Sequence, residues 1–360
     1  MTWLRRASCA LAYAVWLLAG AATAQTHFTI ATYAPEMTRK GPGLLLRDLA
    51  RGEDQRLSAA LDLIANRAAD VILLTGVDWD AGRAALSEIQ RSLRMRGLDY
   101  PHSFTAQPNR GLATGIDLDG DGRLGGPDDA QGWGPFTGSG GLAVLSRWPI
   151  DAEGLIDFTP RLWAEMPDAQ LPVTADGSSF LSPEALQIQR LSTTNHWVLP
   201  LQTPWGGRLH IAVFSATAPV FDGPEDRNGL RNADEIALFA KWLDGRLDSP
   251  VPDTPVIVMG RANLDPSRGA GRHAALRALT AHARLNDAIP RTPQGAAATA
   301  RYDLPPDGPG PLRLDYVLPD SRLQVRDAGI DWPQTPSAKA KPDQKPLRAG
   351  LVWVELTAPD

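Results

Sequence analysis

Five carboxylates crowd one short polar stretch of this chain: Asp117-Leu118-Asp119-Gly120-Asp121-Gly122-Arg123, followed by Asp128 and Asp129. Acids stand at positions one, three and five of a loop, glycine at six, the Arg123 carbonyl at seven and Asp128 at twelve. That spacing suits a Ca²⁺ loop of the EF-hand type, where alternating side chains wrap a hard cation and glycine permits the sharp turn. Aspartate at twelve is shorter than the usual bidentate glutamate, so Asp128, or Asp129 beside it, would make a weak or incomplete site. The plainer reading is a polar Gly/Asp turn without an ion. A calcium ion there would order a loop and have no catalytic part. Thiol chemistry is excluded from the rest of the chain, because the single cysteine is Cys9, inside the N-terminal segment.

The elements that must position these residues show a periodic pattern. His27 to Tyr33 alternates as a strand, and Arg56 to Arg67 places Leu57, Leu61 and Ile64 on one helical face. Val71 to Leu74 is an apolar run suited to a strand buried on both faces, and Ala84 to Met95 is a second amphipathic helix. Strands are expected at Leu142 to Leu145, Leu191 to Pro200 and Leu209 to Phe214, the last after a Gly206-Gly207 turn. Asn232 to Glu235 resembles a capping box that starts a helix through Ile236, Phe239 and Leu243. Pro255 to Met259, Leu312 to Leu318 and Leu351 to Leu356 complete the strands, with a solvated Pro/Lys/Ala-rich loop at Thr335 to Lys345. Two β-rich halves with helices, and no linker between them, predict one α/β domain of two packed sheets with outer helices.

The stretches YAPEMTRKGPG from Tyr33, IDLDGDGRLGGPDDAQGWG from Ile116, GGLAVLSRWPI from Gly140, FDGPEDRNGLRNADEI from Phe221, NLDP from Asn263 and RLDYVLP from Arg313 resemble the endonuclease/exonuclease/phosphatase superfamily, in particular its secreted bacterial members. The resemblance implies a four-layer α/β/β/α sandwich over residues 25–360, with a loop insertion at about 105–140 that carries the acidic stretch. It also implies a Mg²⁺-dependent phosphoesterase site. At the positions that carry that chemistry in the family, this chain has Ala34 for a metal- or phosphate-binding asparagine, Gly76 for the metal-binding glutamate, Ser215 for a histidine, Arg261 for an aspartate, and Ala349 for the catalytic histidine, preceded by Arg348 for an aspartate. Asn263 and Asp315 remain as remnants of the set. Members of a catalytic set act as a unit, so the resemblance implies the fold without the hydrolysis.

Two expectations arise for the site. The Arg261 guanidinium, at the position of a metal ligand, either holds an anionic small molecule or pairs internally with Asp315 or Asp265, while Asn228 rims the same pocket. The alternative is an active phosphoesterase that rebuilds a Mg²⁺ site from Asp78, Asp80 and Asp265. Trp133, Trp163, Trp197 and Trp205 are expected to pack rather than to form a sugar platform.

Residues 1–24 read as an export signal, with Arg5 and Arg6 before an apolar stretch and Ala22-Thr23-Ala24 at its end. The apolar run is too short for a spanning helix, so a secreted or periplasmic protein without a membrane span is expected. Loss of Arg5 and Arg6 would take the formal charge from -5 to -7, which argues against nucleic acid as a partner.

Overall fold

The computed structural model describes residues 27–334 and 346–358. The segment 1–24 expected to be an export signal and the loop expected at 335–345 fall outside the described residues. In chain order the elements are β1 (His27–Tyr33), α1 (Leu44–Arg51), α2 (Gln55–Arg67), β2 (Val71–Val77), α3 (Ala84–Arg94), β3 (His102–Phe104), β4 (Gly141–Ser146), β5 (Ile156–Asp157), α4 (Pro183–Ile188), β6 (His196–Gln202), β7 (Arg208–Ser215), α5 (Arg227–Leu243), β8 (Val256–Arg261), α6 (His273–Thr280), β9 (Asp315–Leu318), β10 (Val325–Asp331) and β11 (Leu351–Thr357).

Strand alternation divides the interior into three cores. In β2, Ile72 and Leu74 face helices α1 to α3, whereas Val71 and Leu73 face the other sheet. In β8, Ile257 and Met259 share that middle core, and Val256 and Val258 pack with Phe239 and Trp242 of α5 and Leu276 of α6. The result is the expected four-layer α/β/β/α sandwich. One sheet runs β10-β11-β1-β2-β4-β3 and the other β5-β6-β7-β8-β9. Each sheet holds one parallel pair that matters for the site, β1 with β2 and β7 with β8.

Three local expectations are corrected. α5 begins at Arg227, not at Asn232, and both members of the expected capping box are buried inside the helix. Asn232 Nδ2 donates to the carbonyls of Thr217 (2.7 Å) and Ala262 (2.8 Å), while Glu235 accepts from the Thr193 and Thr217 amides. These side chains tie the helix to the strand ends instead of starting it. The strand expected from Leu191 begins only at His196, because Ser192 to Asn195 spend their groups on loop contacts such as Thr194 Oγ1 to the Ser215 carbonyl (2.7 Å). β10 is an additional edge strand paired with β11, bulged between Val325 and Asp327. Of the four tryptophans, Trp163 and Trp197 are buried and Trp205 packs against Phe28, but Trp133 is 53% exposed.

Candidate functional site

The ends of β1, β2, β7 and β8 point the same way within their sheets, and the segments after these strands gather at one end of the sandwich. Ala34, Gly76, Ser215, Arg261, Asn263 and Ala349 line one cleft of about 290 Å³ there. Residues up to 315 positions apart in sequence, singled out by the resemblance one at a time, therefore converge on a single place.

At the floor of this cleft, register decides the chemistry. Ser215 stands beside Arg261 in the parallel β7/β8 pair, and Arg261 stands opposite Asp315 in the antiparallel β8/β9 pair. Arg261 Nη1 donates to both Asp315 carboxylate oxygens (3.1 Å each), Nε donates to Asn263 Oδ1 (2.7 Å), and Nη2 donates to the Tyr302 hydroxyl (3.3 Å). Asn263, in a left-handed conformation (φ 52°), donates through Nδ2 to the Ala216 carbonyl (2.8 Å). Asp315 is 0% exposed and also accepts from Thr299 Oγ1 (2.8 Å). Burial pushes the Asp315 carboxyl up, against the pull of Arg261 and Thr299. Burial also works against the Arg261 charge, but Asp315 and Tyr302 hold its pKa above the ordinary value. Of the two internal partners expected for Arg261, Asp315 is the one it meets. All three of its nitrogens are engaged, so the anion-holding role expected of Arg261 gives way to an ion pair.

The three acids of the rebuilt-site alternative do not meet. Asp78 accepts from the Gly140 amide (2.9 Å) and the Arg39 amide (2.7 Å), and burial raises its pKa. Asp80 accepts from the Ala84 and Ala85 amides at the start of α3 (2.8 and 3.0 Å). Asp265 accepts from the Ser267 and Arg268 amides (3.0 Å each) and the Arg313 amide (2.8 Å), which lower its pKa despite its burial. Each carboxylate organises a turn. Among the described residues, the one group of three or more His, Cys, Asp or Glu side chains with ligand atoms close together lies elsewhere.

That group is in the acidic loop. Oxygens of Asp117, Asp119 and Asp129 lie within 4.8 Å of one another. Asp129 is buried and accepts from the Leu118 and Gly126 amides (2.8 and 3.1 Å). Of the two residues expected at the twelfth position, Asp129 joins the group, whereas Asp128 is exposed and lines a neighbouring cavity. Asp121 accepts from the Arg123 amide (2.7 Å) and stands outside the group. Three oxygens suit a weak Ca²⁺ seat that takes its other ligands from carbonyls or water. The backbone bonds to Asp117 from Gly120 (2.7 Å) and Gly122 (2.9 Å) hold the turn in the same shape that a polar Gly/Asp turn would have.

Of the cleft's other cations, Arg348 stands at a position the resemblance singled out, whereas Arg110 carries no motif that would mark it in the sequence. Arg110 is half-buried, donates from Nε to the Trp133 carbonyl (3.1 Å), and forms no salt bridge with a carboxylate among the described residues. Desolvation lowers its pKa, with Asp78 opposing. Arg348 is exposed at the cleft, where its backbone amide meets the Glu36 carboxylate (2.6 Å) and its guanidinium has no partner among the described residues. Glu36 itself is taken by Arg56. Asn228 is in the wall of a neighbouring cavity of about 460 Å³, with its Nδ2 donating to the Val220 carbonyl (2.9 Å). No helix among the described residues is long and apolar enough to cross a membrane.

Solved structures share this architecture. An endonuclease/exonuclease/phosphatase from Beutenbergia cavernae is 16% identical with a TM-score of 0.53, covering 92% of this chain and 72% of its own. A family protein from Bacteroides thetaiotaomicron is 14% identical at TM-score 0.51, covering 93% and 99%. Beta toxin from Staphylococcus aureus, in a structure with bound magnesium ions, is 12% identical at TM-score 0.50, covering 92% and 100%. No curated protein matches the chain. At such identities these likenesses speak for the fold, and they agree with the match of the Endonuclease/Exonuclease/phosphatase family model to residues 42–344. The strand-end cleft, the two-sheet sandwich and that match lead to one conclusion: the chain belongs to the endonuclease/exonuclease/phosphatase family.

Proposed function

We propose that this protein is an exported family member that binds an anionic small molecule without hydrolysing it. One observation carries the reading: the cleft holds the Arg261–Asp315 pair where the resemblance calls for a metal-binding acid. A guanidinium supplies no ligand to a divalent cation, and the pairing occupies both Asp315 oxygens that could otherwise hold one. Anion binding then falls to Arg110 and Arg348, which face the same cleft without carboxylate partners among the described residues. A cation that is partly desolvated and unpaired gains from a bound anion. The net charge of -5 makes a small ligand a better fit than nucleic acid. Export through residues 1–24 and a structural Ca²⁺ at the acidic loop belong to the same reading.

The test is phosphomonoester and phosphodiester hydrolysis by the purified, folded protein with Mg²⁺, Mn²⁺ or Ca²⁺, against an EDTA control. No turnover above the control is expected. Metal-dependent turnover that disappears in Asp78→Ala or Asp265→Ala, with folding retained, would establish the active alternative instead. N-terminal sequencing of the protein from the cell exterior or periplasm is expected to begin at Gln25.

A further inference from the structure

The cleft is not isolated. The neighbouring cavity of about 460 Å³ shares Arg110, Ser215 and Asn263 with it, so the two meet along one wall. On the far side of that wall stands Arg227, the first residue of α5. Its guanidinium reaches the Leu118 carbonyl (3.4 Å) and lies 6.0 Å from the Phe180 ring, with no salt bridge to a carboxylate among the described residues. One turn later, buried Arg231 spends its donors on the carbonyls of Leu191 and Arg190 (2.8 and 2.7 Å). The carboxylate lining this cavity is Asp128, which is exposed.

An unused hydroxyl occurs in the first cleft, where the Oγ1 of Thr75 is buried without a hydrogen-bond partner among the described residues. Native proteins leave few such atoms, so it asks for a partner that the protein does not supply. Trp133 and the 94% exposed Phe221 add apolar surface at the second cavity. The two cavities thus carry three guanidiniums without a salt bridge among the described residues, in the order Arg348, Arg110, Arg227, with Asp78 acting on Arg110 at longer range. A single small anion would leave one end of that row unmet.

We infer that the joined cavities take a ligand with two separated anionic groups, one between Arg348 and Arg110 and the other between Arg110 and Arg227. Its connecting portion crosses the shared wall at Ser215 and Asn263. This rests on the anion-binding reading of the cleft. The recognised chemistry is two acids on one flexible small molecule, as in a condensed phosphate chain or an acidic oligosaccharide. Joining two weakly bound groups raises affinity because the second binds at a high effective concentration.

Calorimetric titration of the full protein with inorganic phosphate, tripolyphosphate and trigalacturonate, at matched ionic strength, tests the inference. At least one two-anion probe is expected to bind at least about tenfold more tightly than phosphate. Arg227→Gln and Arg348→Gln should each cut that probe's affinity about tenfold, equivalent to about 1.4 kcal/mol, while phosphate still binds at the remaining seat. The double variant should lose phosphate as well, and circular dichroism of each variant checks folding. If neither two-anion probe exceeds phosphate, or if Arg227→Gln leaves its affinity within about twofold, the two-seat arrangement is overturned and the simpler anion site stands. If no probe binds at all, the anion-binding reading fails with it. Preference between tripolyphosphate and trigalacturonate distinguishes the two sources of the same chemistry.

Discussion

The floor of the cleft and its walls handle the same kind of charge in opposite ways. On the floor, Arg261 is spent on Asp315, Asn263 and Tyr302, and Asp315 is closed off by Thr299. On the walls, Arg110, Arg227 and Arg348 form no salt bridge among the described residues, Arg110 feeling Asp78 only at longer range, and the Thr75 hydroxyl beside them has no partner there. A buried ion pair removes the need for a ligand, whereas an unpaired cation at a cavity creates one. The floor is therefore closed electrostatically, and the walls are where the proposed anion would bind.

The largest expected effect breaks the floor. Arg261→Ala would leave Asp315 buried without a counter-charge, and a loss on the order of 3–5 kcal/mol in urea unfolding is expected. Replacing both partners, with Arg261→Met and Asp315→Leu, should restore much of that. A cost below about 1 kcal/mol for Arg261→Ala would mean that the floor is no more closed than the walls.

Next comes Glu235, which lies behind the second cavity and joins Thr193 to Thr217. Burial raises its pKa from 4.5 to about 7, against Arg231 and the two amides. Because the folded value lies above the unfolded one, the folded state binds the proton more tightly. Its stabilisation is full below about pH 4.5 and is lost as pH rises through about 7. The slope of stability between pH 5 and 8 should flatten in Glu235→Gln, by roughly 2–3 kcal/mol across the window. An unchanged slope would remove Glu235 from the account.

Arg110→Met sharpens the comparison from the other side. Without anion, stability should change by no more than about 1 kcal/mol, since the desolvated cation is lost together with one hydrogen bond and a longer-range attraction to Asp78. The stabilisation by a saturating anion, about 2.7 kcal/mol at one hundred times Kd, should largely vanish. A loss as large as that of Arg261→Ala would make Arg110 part of the floor. The smallest effect concerns the acidic loop: millimolar Ca²⁺ should raise Tm by on the order of 2 °C, and Asp129→Asn should abolish the rise, whereas Asp128→Asn should not.

The two regions were unequally legible in the sequence. Strands such as Val71–Val77 and Val256–Arg261 announce themselves because burial on both faces requires an apolar run. β10 does not, since an edge strand carrying Arg326, Asp327 and Asp331 has little apolar pattern to show. Asn232 and Glu235 mislead for a physical reason: a capping pair and a buried tie between a helix and strand ends use the same residue types. The floor could be read because Ser215 and Arg261 end recognisable strands and Asp315 begins one. Arg110 stands in a loop whose course nothing local fixes, so its place beside Ser215 and Asn263 comes only from the fold. Tyr302 is hidden for the same reason, being brought to Arg261 by a loop.

Gly76 gives this family member a direction in time. Its φ of 72° interrupts the β2 register, and an added Cβ would meet only Thr38 Oγ1 at 3.6 Å, so space is not the barrier. Conformation is: Gly76→Glu would hold a side chain in the left-handed region at a cost of about 1–2 kcal/mol. Arg261→Asp taken first would set a second acid opposite the fully buried Asp315. Either opening step toward a metal-binding site runs uphill before any metal can reward it. If the proposed anion-binding reading holds, the cleft is in this sense a ratchet that resists acquiring an ion one substitution at a time.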